Sequence, residues 1–172
     1  MHMLDIQPKE EWARLEQHIT DTLHLSGSVY DAEGNRVTGQ HLWCNALCPS
    51  VHSNPQSQSG ICAGASQYCT HTMAEAREPV LEECDAGFAK LAAPIVVNGE
   101  VIGSIGGCGA LMDDAEADTF YIGKLTGLGD ETLEPLAATA PRLTRAQAEA
   151  TLEELAGMAR EIAENASGGQ RG

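Results

Sequence analysis

Hydrophobic and polar positions change period several times along this chain, and each change outlines an element. From Pro8 to His24, Trp12, Leu15, Ile19 and Leu23 recur at three and four residues, while Glu10, Glu11, Glu16 and Asp21 fall off that face. That spacing predicts an amphipathic helix. Ser28-Val-Tyr-Asp then reads as a short strand, Glu33-Gly34-Asn35 as a turn and Arg36-Val-Thr as the returning strand. Between Gly39 and Gly60 the pattern lapses, with Ser, Asn, Gln and Pro prominent from Pro49 onward. A loop that long inside a compact domain is usually functional or disordered. This one carries Cys44 and Cys48, which favours function.

A second helix is expected from Ser59 as N-cap to about Arg77, with Pro79 stopping it. Val80 to Cys84 follows as a strand. Two apolar runs, Leu91 to Val97 and Val101 to Ile105, are joined by Asn98-Gly99. Asn-Gly between β-branched runs is a strong two-residue hairpin signal, because a type I′ turn needs two residues that accept positive φ. Pairing Val97 with Glu100 and continuing straight puts Ala89 opposite Cys108, with Cys84 one short turn away. Met112 to Gly129 is ambiguous between helix and loop. A short helix is expected over 131–138. A last one is capped by Thr144, with Ala148, Leu152, Leu155, Ala159 and Ile162 in one narrow stripe.

Strands segregated from helices around a central hairpin predict an α+β fold: an antiparallel sheet with helices packed on one side and a C-terminal helix. A single domain is expected over 1–166, with a disordered tail at 167–172. The terminal stripe spans too few heptads to argue a coiled coil.

Composition narrows the function. Ten basic residues against 25 acidic ones give a formal charge of −15. Nucleic-acid binding usually needs a basic face, so it is not expected. No apolar run is long enough for a membrane span, and the first residues lack a signal-peptide pattern. A cytoplasmic location is therefore expected. In a reducing compartment stable disulfides are disfavoured, which leaves packing, metal ligation or redox chemistry for the six cysteines. All six fall between positions 44 and 108, a clustering that favours a site. Their spacings match neither a compact zinc pattern nor a ferredoxin-type run. Gly103-Ser-Ile-Gly106-Gly-Cys-Gly109 lacks the Lys-Ser/Thr of a phosphate loop, and Ser104 has no paired His-Asp pattern.

The order Asn45-x-x-Cys48, then Cys62, then Cys84-x-Ala86-Gly87-Phe88, then Ala93-Pro94-Ile95-Val96-Val97-x-Gly99-x-x-Ile102-Gly103, then Gly106-Gly107 resembles the PocR sensory domain. That family is a PAS-like ligand-binding module of bacterial transcription regulators and sensor kinases, thought to sense short diols and simple hydrocarbon derivatives. The match covers roughly residues 5 to 165. It implies a cytoplasmic, non-enzymatic sensor of a small-molecule ligand or metal centre that signals to an output protein or another domain. Paired terminal helices, common among PAS-like sensors, make a homodimer one arrangement. Two positions depart from the family: Asp85 stands where it typically has His, and Cys108 where it often has Gln.

The resemblance carries Cys48, Cys62 and Cys84 as site residues, from loop, helix and sheet. A buried metal ion such as zinc, or an iron–sulfur cluster, needs such a grip from several sides. Cys62 near a helix N-terminus would gain thiolate character. The hairpin argument makes Cys108 the preferred fourth ligand, with Cys44 the runner-up. Cys69 is about 10 Å along a regular helix from Cys62 and reads as a core thiol. His52 and His71 read as solvent-facing, His52 being the nearer to a ligand, and His2, His18, His24 and His41 as surface or interface residues. Asp85 is either an outer-sphere partner of Cys84 or a turn residue. Three uses of the thiols stay open: a metal or iron–sulfur centre, the lining of an organic-ligand pocket, and thiol-based redox or electron transfer.

Overall fold

A computed structural model describes residues 1–169 of the chain. After a short turn, α1 (Met3–Ile6), the amphipathic segment forms α2 (Lys9–Leu23), and Trp12, Ile19 and Leu23 are buried. Trp12 Nε1 donates to Met3 O at 3.1 Å, tying α1 to α2. Glu16 corrects the expected helix face. It lies four residues from Trp12 and three from Ile19, so it shares their buried side. Its carboxylate accepts from Val29 N (2.9 Å), Thr38 Oγ1 (2.6 Å) and Gln40 Nε2 (3.3 Å), which offsets the cost of burying it.

The strands β1 (Ser26–Asp31), β2 (Val80–Glu83), β3 (Ala89–Val97) and β4 (Glu100–Met112) pair antiparallel in the order β1-β4-β3-β2. A short β5 (Arg142–Leu143) runs parallel to the end of β4. The returning strand at 36–38 is only an isolated bridge, Tyr30 to Arg36, with Val37 N donating to Val29 O. Asn98 and Gly99 take φ of 52° and 83°, the turn the dipeptide predicts, and Val97 does face Glu100.

The register beyond that turn is not the straight one. Irregularities between Ile95 and Val96 and between Ala89 and Lys90 set Cys108 opposite Lys90, and Ala89 opposite Ala110. A one-residue slip turns a strand's side chains over. Leu91, Ala93, Ile95 and Ile105 consequently share one face with Val29. They pack there against α2 and against α8 (Arg145–Gly168), whose Leu155, Ala156, Ala159 and Ala163 are buried. Leu152 and Ile162 flank that stripe, partly buried. Thr144 caps α8: its Oγ1 accepts from Gln147 N, and Gln147 Oε1 accepts from Thr144 N. The helix continues through Ser167 and Gly168, beyond the boundary expected at 166, and residues 170–172 of the expected tail lie outside the described residues.

The other face of the sheet carries Ser26, Ser28 and Tyr30 of β1, Cys108 and Ser104 of β4, and Lys90 and Ala92 of β3. The α+β class, the antiparallel sheet and the terminal helix agree with expectation, and helices stand on both faces of the sheet. The segment read as irregular from 39 to 60 becomes helical at Cys48: α3 (Cys48–Ser53) and α4 (Pro55–Ser57) lead through a π-helical turn (Gln58–Ala63) into α5 (Gly64–Ala76). The N-cap of this run is Asn54 rather than Ser59, its side chain accepting from Gln56 N and Ser57 N. Arg77 ends α5 in a left-handed conformation.

The ambiguous stretch resolves into α6 (Thr119–Thr126), capped by Asp118, and α7 (Asp130–Ala137) follows it. A second core of Leu47, Val51, Ile61, Phe88, Leu111, Ile122 and Leu133 holds these helices together over one end of the sheet. Between that cap and the polar sheet face lies a cavity.

Candidate functional site

The cavity has a volume of about 60 Å³. Sheet, turn and cap each supply a cysteine to its wall: Cys108 from β4, Cys84 from the turn after β2, Cys62 from the π-helical turn and Cys48 from the start of α3. None of the six cysteines is in a disulfide. Each cavity thiol is held by local structure. Cys84 N donates to Phe88 O (2.9 Å) and Cys84 O accepts from Gly87 N (2.8 Å), which closes the turn that presents the side chain. Cys62 sits where the helix widens, an irregularity common at functional sites. Cys48 depends on Asn45, whose Oδ1 accepts from Leu47 N and Cys48 N, while its Nδ2 donates to Gly109 O (2.7 Å) and Cys48 Sγ (3.2 Å). Gly109 has a φ of +97°, and a Cβ there would stand 2.8 Å from Cys44 Sγ and 2.9 Å from Asn45 Nδ2. The close seat of this loop on β4 therefore needs glycine.

The remaining candidates lie elsewhere. Cys44 packs behind Cys108: its Sγ donates to Cys108 O at 3.4 Å and accepts from Ser26 Oγ at 3.5 Å. Cys69 is buried with Met73, Val80 and Ala92 beside a separate, much smaller void. His52 stands at the cavity rim beside Trp43, their rings 5.5 Å apart, and His41 completes the cluster at 4.4 Å from His52. Asp85 is exposed and lines no part of the cavity, and His71 is a surface residue beside Glu75.

Burial dominates the electrostatics. It pushes the Cys62 thiol up to about 12, with Cys108 and then Cys84 adding to the rise. Burial likewise raises Cys48 well above an ordinary thiol, with charge on Cys108 next and the Asn45 hydrogen bond opposing. Cys84 rises for the same first reason. The helix-dipole argument for Cys62 is overridden, because Cys62 lies about two turns beyond Asn54 and the dipole fades within the first turn. Burial thus favours the neutral form of Cys48, Cys62 and Cys84, and charge on one thiol opposes charge on the next. Burial also lowers His41 and His52, with Arg36 adding to both.

Sequence reasoning missed the charge on the cavity floor. Lys90 is 6% exposed, faces Cys108 across the strand pair and lies with its Nζ 5.2 Å from the centre of the Tyr30 ring. The Arg36 guanidinium is 5.3 Å from the same ring. Burial pulls the lysine down, but Tyr30, Cys108 and Cys69 outweigh it and hold the proton. The signal was present: Lys90 is the one charged residue between Ala86 and Glu100.

Among the described residues, no three His, Cys, Asp or Glu side chains stand together closely enough to grip one metal ion. No helix among them is long and apolar enough to cross a membrane. Val51, Ile61, Ala86 and Phe88 form the apolar side of the cavity, opposite Lys90 and Ser26.

Comparison with known proteins places the chain in a family. No curated protein is similar enough to match. A solved domain, residues 129 to 302 of a transcriptional regulator described as IclR family, is similar at 12% identity with a TM-score of 0.31, covering 86% of this chain and 95% of its own. So low a score carries no argument. The model of the sensory domain found in PocR matches residues 5–167 and so takes in every wall of the cavity. A match over nearly the whole chain makes this protein a member of the PocR sensory-domain family, a module of signal transduction.

Proposed function

We propose that the cavity is the sensing site of this domain, and that Cys48, Cys62, Cys84 and Cys108 hold an iron–sulfur cluster in it. The observation that carries the reading is the convergence of four thiols, from four separate stretches of chain, on one enclosed space with no single-ion arrangement among them. A lone zinc needs its sulfurs about 2.3 Å from one point, whereas a cluster is gripped at several irons spread over a larger body. Bound, the cluster supplies one-electron redox chemistry or lability toward oxidants. The chain supplies the rest. Holding the cluster would exchange thiol protons for metal bonds, which would offset the burial that favours the neutral form of Cys48, Cys62 and Cys84. Asn45 keeps a donor on Cys48 Sγ, and such second-layer hydrogen bonds tune a centre.

The signalling route runs through β3. Lys90 and Ala92 face the cavity side, while Leu91, Ala93 and Ile95 press on α8 from the opposite face. A change of occupancy or charge in the cavity shifts the strand and so biases the packing of α8, which passes the state to an output protein or domain.

The test is anaerobic purification followed by a visible spectrum with iron and acid-labile sulfide analysis. A brown protein with stoichiometric iron and sulfide is expected. A colourless protein without either would refute the cluster and assign the cavity to an organic ligand.

A further inference from the structure

The polar face of the sheet is short of side chain at its middle. Ala92, Gly106 and Ser28 lie in one row across β3, β4 and β1, and α5 covers that row with Cys69, Thr70 and Met73. So little bulk beneath a helix leaves a void of about 10 Å³ next to the main cavity. Lys90, Tyr30 and Ser66 border both spaces. Three polar side chains lining the void are more than nine-tenths buried: Ser28 at 3% exposure, Ser104 at 5% and Lys90 at 6%. Tyr30 offers Lys90 its ring, and the Tyr30 hydroxyl is engaged by Ser66 Oγ at 3.5 Å. Among the described residues, Ser28 Oγ, Ser104 Oγ and Lys90 Nζ hydrogen-bond to no protein group, yet no side-chain nitrogen or oxygen sealed from solvent lacks a partner. These three ends therefore open onto space that water can reach. Against the cost of burial, Tyr30, Cys108 and Cys69 answer the charge of Lys90. What the lysine and the two serines lack is a hydrogen-bond partner, and a buried polar group left without one is unfavourable.

We propose that the void binds one ordered water molecule, shared by Lys90 Nζ, Ser28 Oγ and Ser104 Oγ, and that this water positions Lys90 at the edge of the sensing cavity. An internal water needs about one probe sphere of room and two to four polar partners, and the void supplies both. An ammonium only donates. The water oxygen accordingly accepts from Lys90, and its two protons go to the serine oxygens. The Thr70 hydroxyl on the α5 side of the void is a fourth group within the same wall. One molecule thus joins β1, β3 and β4 beneath α5. It holds Lys90 from behind while the Tyr30 ring holds it from the side, which makes Ser28 and Ser104 positioning residues for the lysine. The proposal goes beyond the cluster reading and stands without it, because the void and its polar groups belong to the chain whatever the cavity holds.

The experiment uses the whole metal-free chain as wild type, Ser28→Ala, Ser104→Ala and the double variant. In wild type, nuclear Overhauser spectra should show a long-lived water in contact with the Ala92 and Met73 methyls, which line the void. Absence of that water at both methyls overturns the proposal. In urea titrations each single variant should lower the folding equilibrium constant roughly three- to tenfold. The double variant should lower it by less than the product of the two, because both serines act through one shared partner. Falls that simply multiply overturn the shared water. Position is read from the side-chain nitrogen signals of the three lysines, Lys9, Lys90 and Lys124. The Lys90 signal should move in both single variants while the other two stay, and a Lys90 signal that stays in both overturns the positioning role. Should the double variant fail to fold, the Lys90 signal in the single variants decides. Iron and sulfide enter none of these readouts, so their outcome leaves the cluster reading to its own test.

Discussion

Asn45 is where the loop carrying Cys48 is fixed to the sheet, and replacing it should separate the fold's needs from the site's. The side chain is buried and makes three hydrogen bonds to backbone groups: Gly109 O at 2.7 Å, Leu47 N at 2.9 Å and Cys48 N at 2.7 Å. At about 1 kcal/mol net for each, Asn45→Ala should cost about 3 kcal/mol, more where a buried partner is left unsatisfied. For a chain of this length each kcal/mol moves the melting temperature by about 2–4 °C, so a fall of roughly 6–12 °C is expected. Asn45→Asp keeps the acceptor for Leu47 N and Cys48 N but loses the donor to Gly109 O and Cys48 Sγ, so it should fall between Ala and wild type. Thermal melts of the metal-free protein give the first readout. The second is alkylation of a variant whose only cysteine is Cys48, which should quicken as the loop lifts. A melting temperature for Asn45→Ala within about 2 °C of wild type, less than one such bond is worth, would refute the reasoning.

Glu16 supplies a pH test. Burial raises its carboxyl above the unfolded value despite three donors, so the fold favours the protonated form. Its contribution is present in full below the unfolded value, near 4.5, and is lost as pH rises through the raised folded value. Urea titrations should show stability declining with pH over that window in wild type, and the decline should be missing in Glu16→Gln. In reconstituted protein Cys108→Ser should lower iron content sharply and leave the fold intact, while Cys69→Ala should keep the iron and cost on the order of 1 kcal/mol; the reverse pattern in an iron assay would move the site to the α5 side. With a formal charge of −15 the domain should not shift random duplex DNA in a gel at any salt, and a salt-sensitive shift would contradict that.

The sequence made legible what depends on neighbours along the chain. Asn98-Gly99 marks its own turn, Thr144 and Gln147 form a local capping box, and the apolar stripe of α2 announces a buried side. What escaped depends on distant partners. Glu16 reads as a surface charge until Val29, Thr38 and Gln40 come round to meet it. The segment 48–60 reads as loop because its helices are short, interrupted by proline and run into the π turn, so no period builds up. Its shape is set instead by burial of Leu47, Val51 and Ile61 under α6 and α7, which no local pattern encodes.

Cys108 shows the same division at the site itself. A straight register from the Asn98-Gly99 turn would have placed it opposite Ala89, whose side chain belongs to the core shared with α2 and α8. On that side of the sheet it could meet neither Cys62 nor Cys48, which hang from the cap on the other. The irregularity between Ile95 and Val96 shifts the pairing by one residue, so that Cys108 turns over to face Lys90 and the cavity. The same shift places Ser104 and Gly106 on the cavity side and Ile105 in the core, so it serves packing and site together. A bulge leaves little trace in a sequence of apolar and glycine residues, because either register buries something tolerable. The choice rests on burying Ile105 rather than Ser104 and Cys108 beside Leu91, Ala93 and Ile95, an apolar side chain worth roughly 1.5–3 kcal/mol against two polar ones. Hydrophobic burial thereby dictates where the thiol and the lysine point, and the chemistry of the cavity follows from the packing of its opposite face.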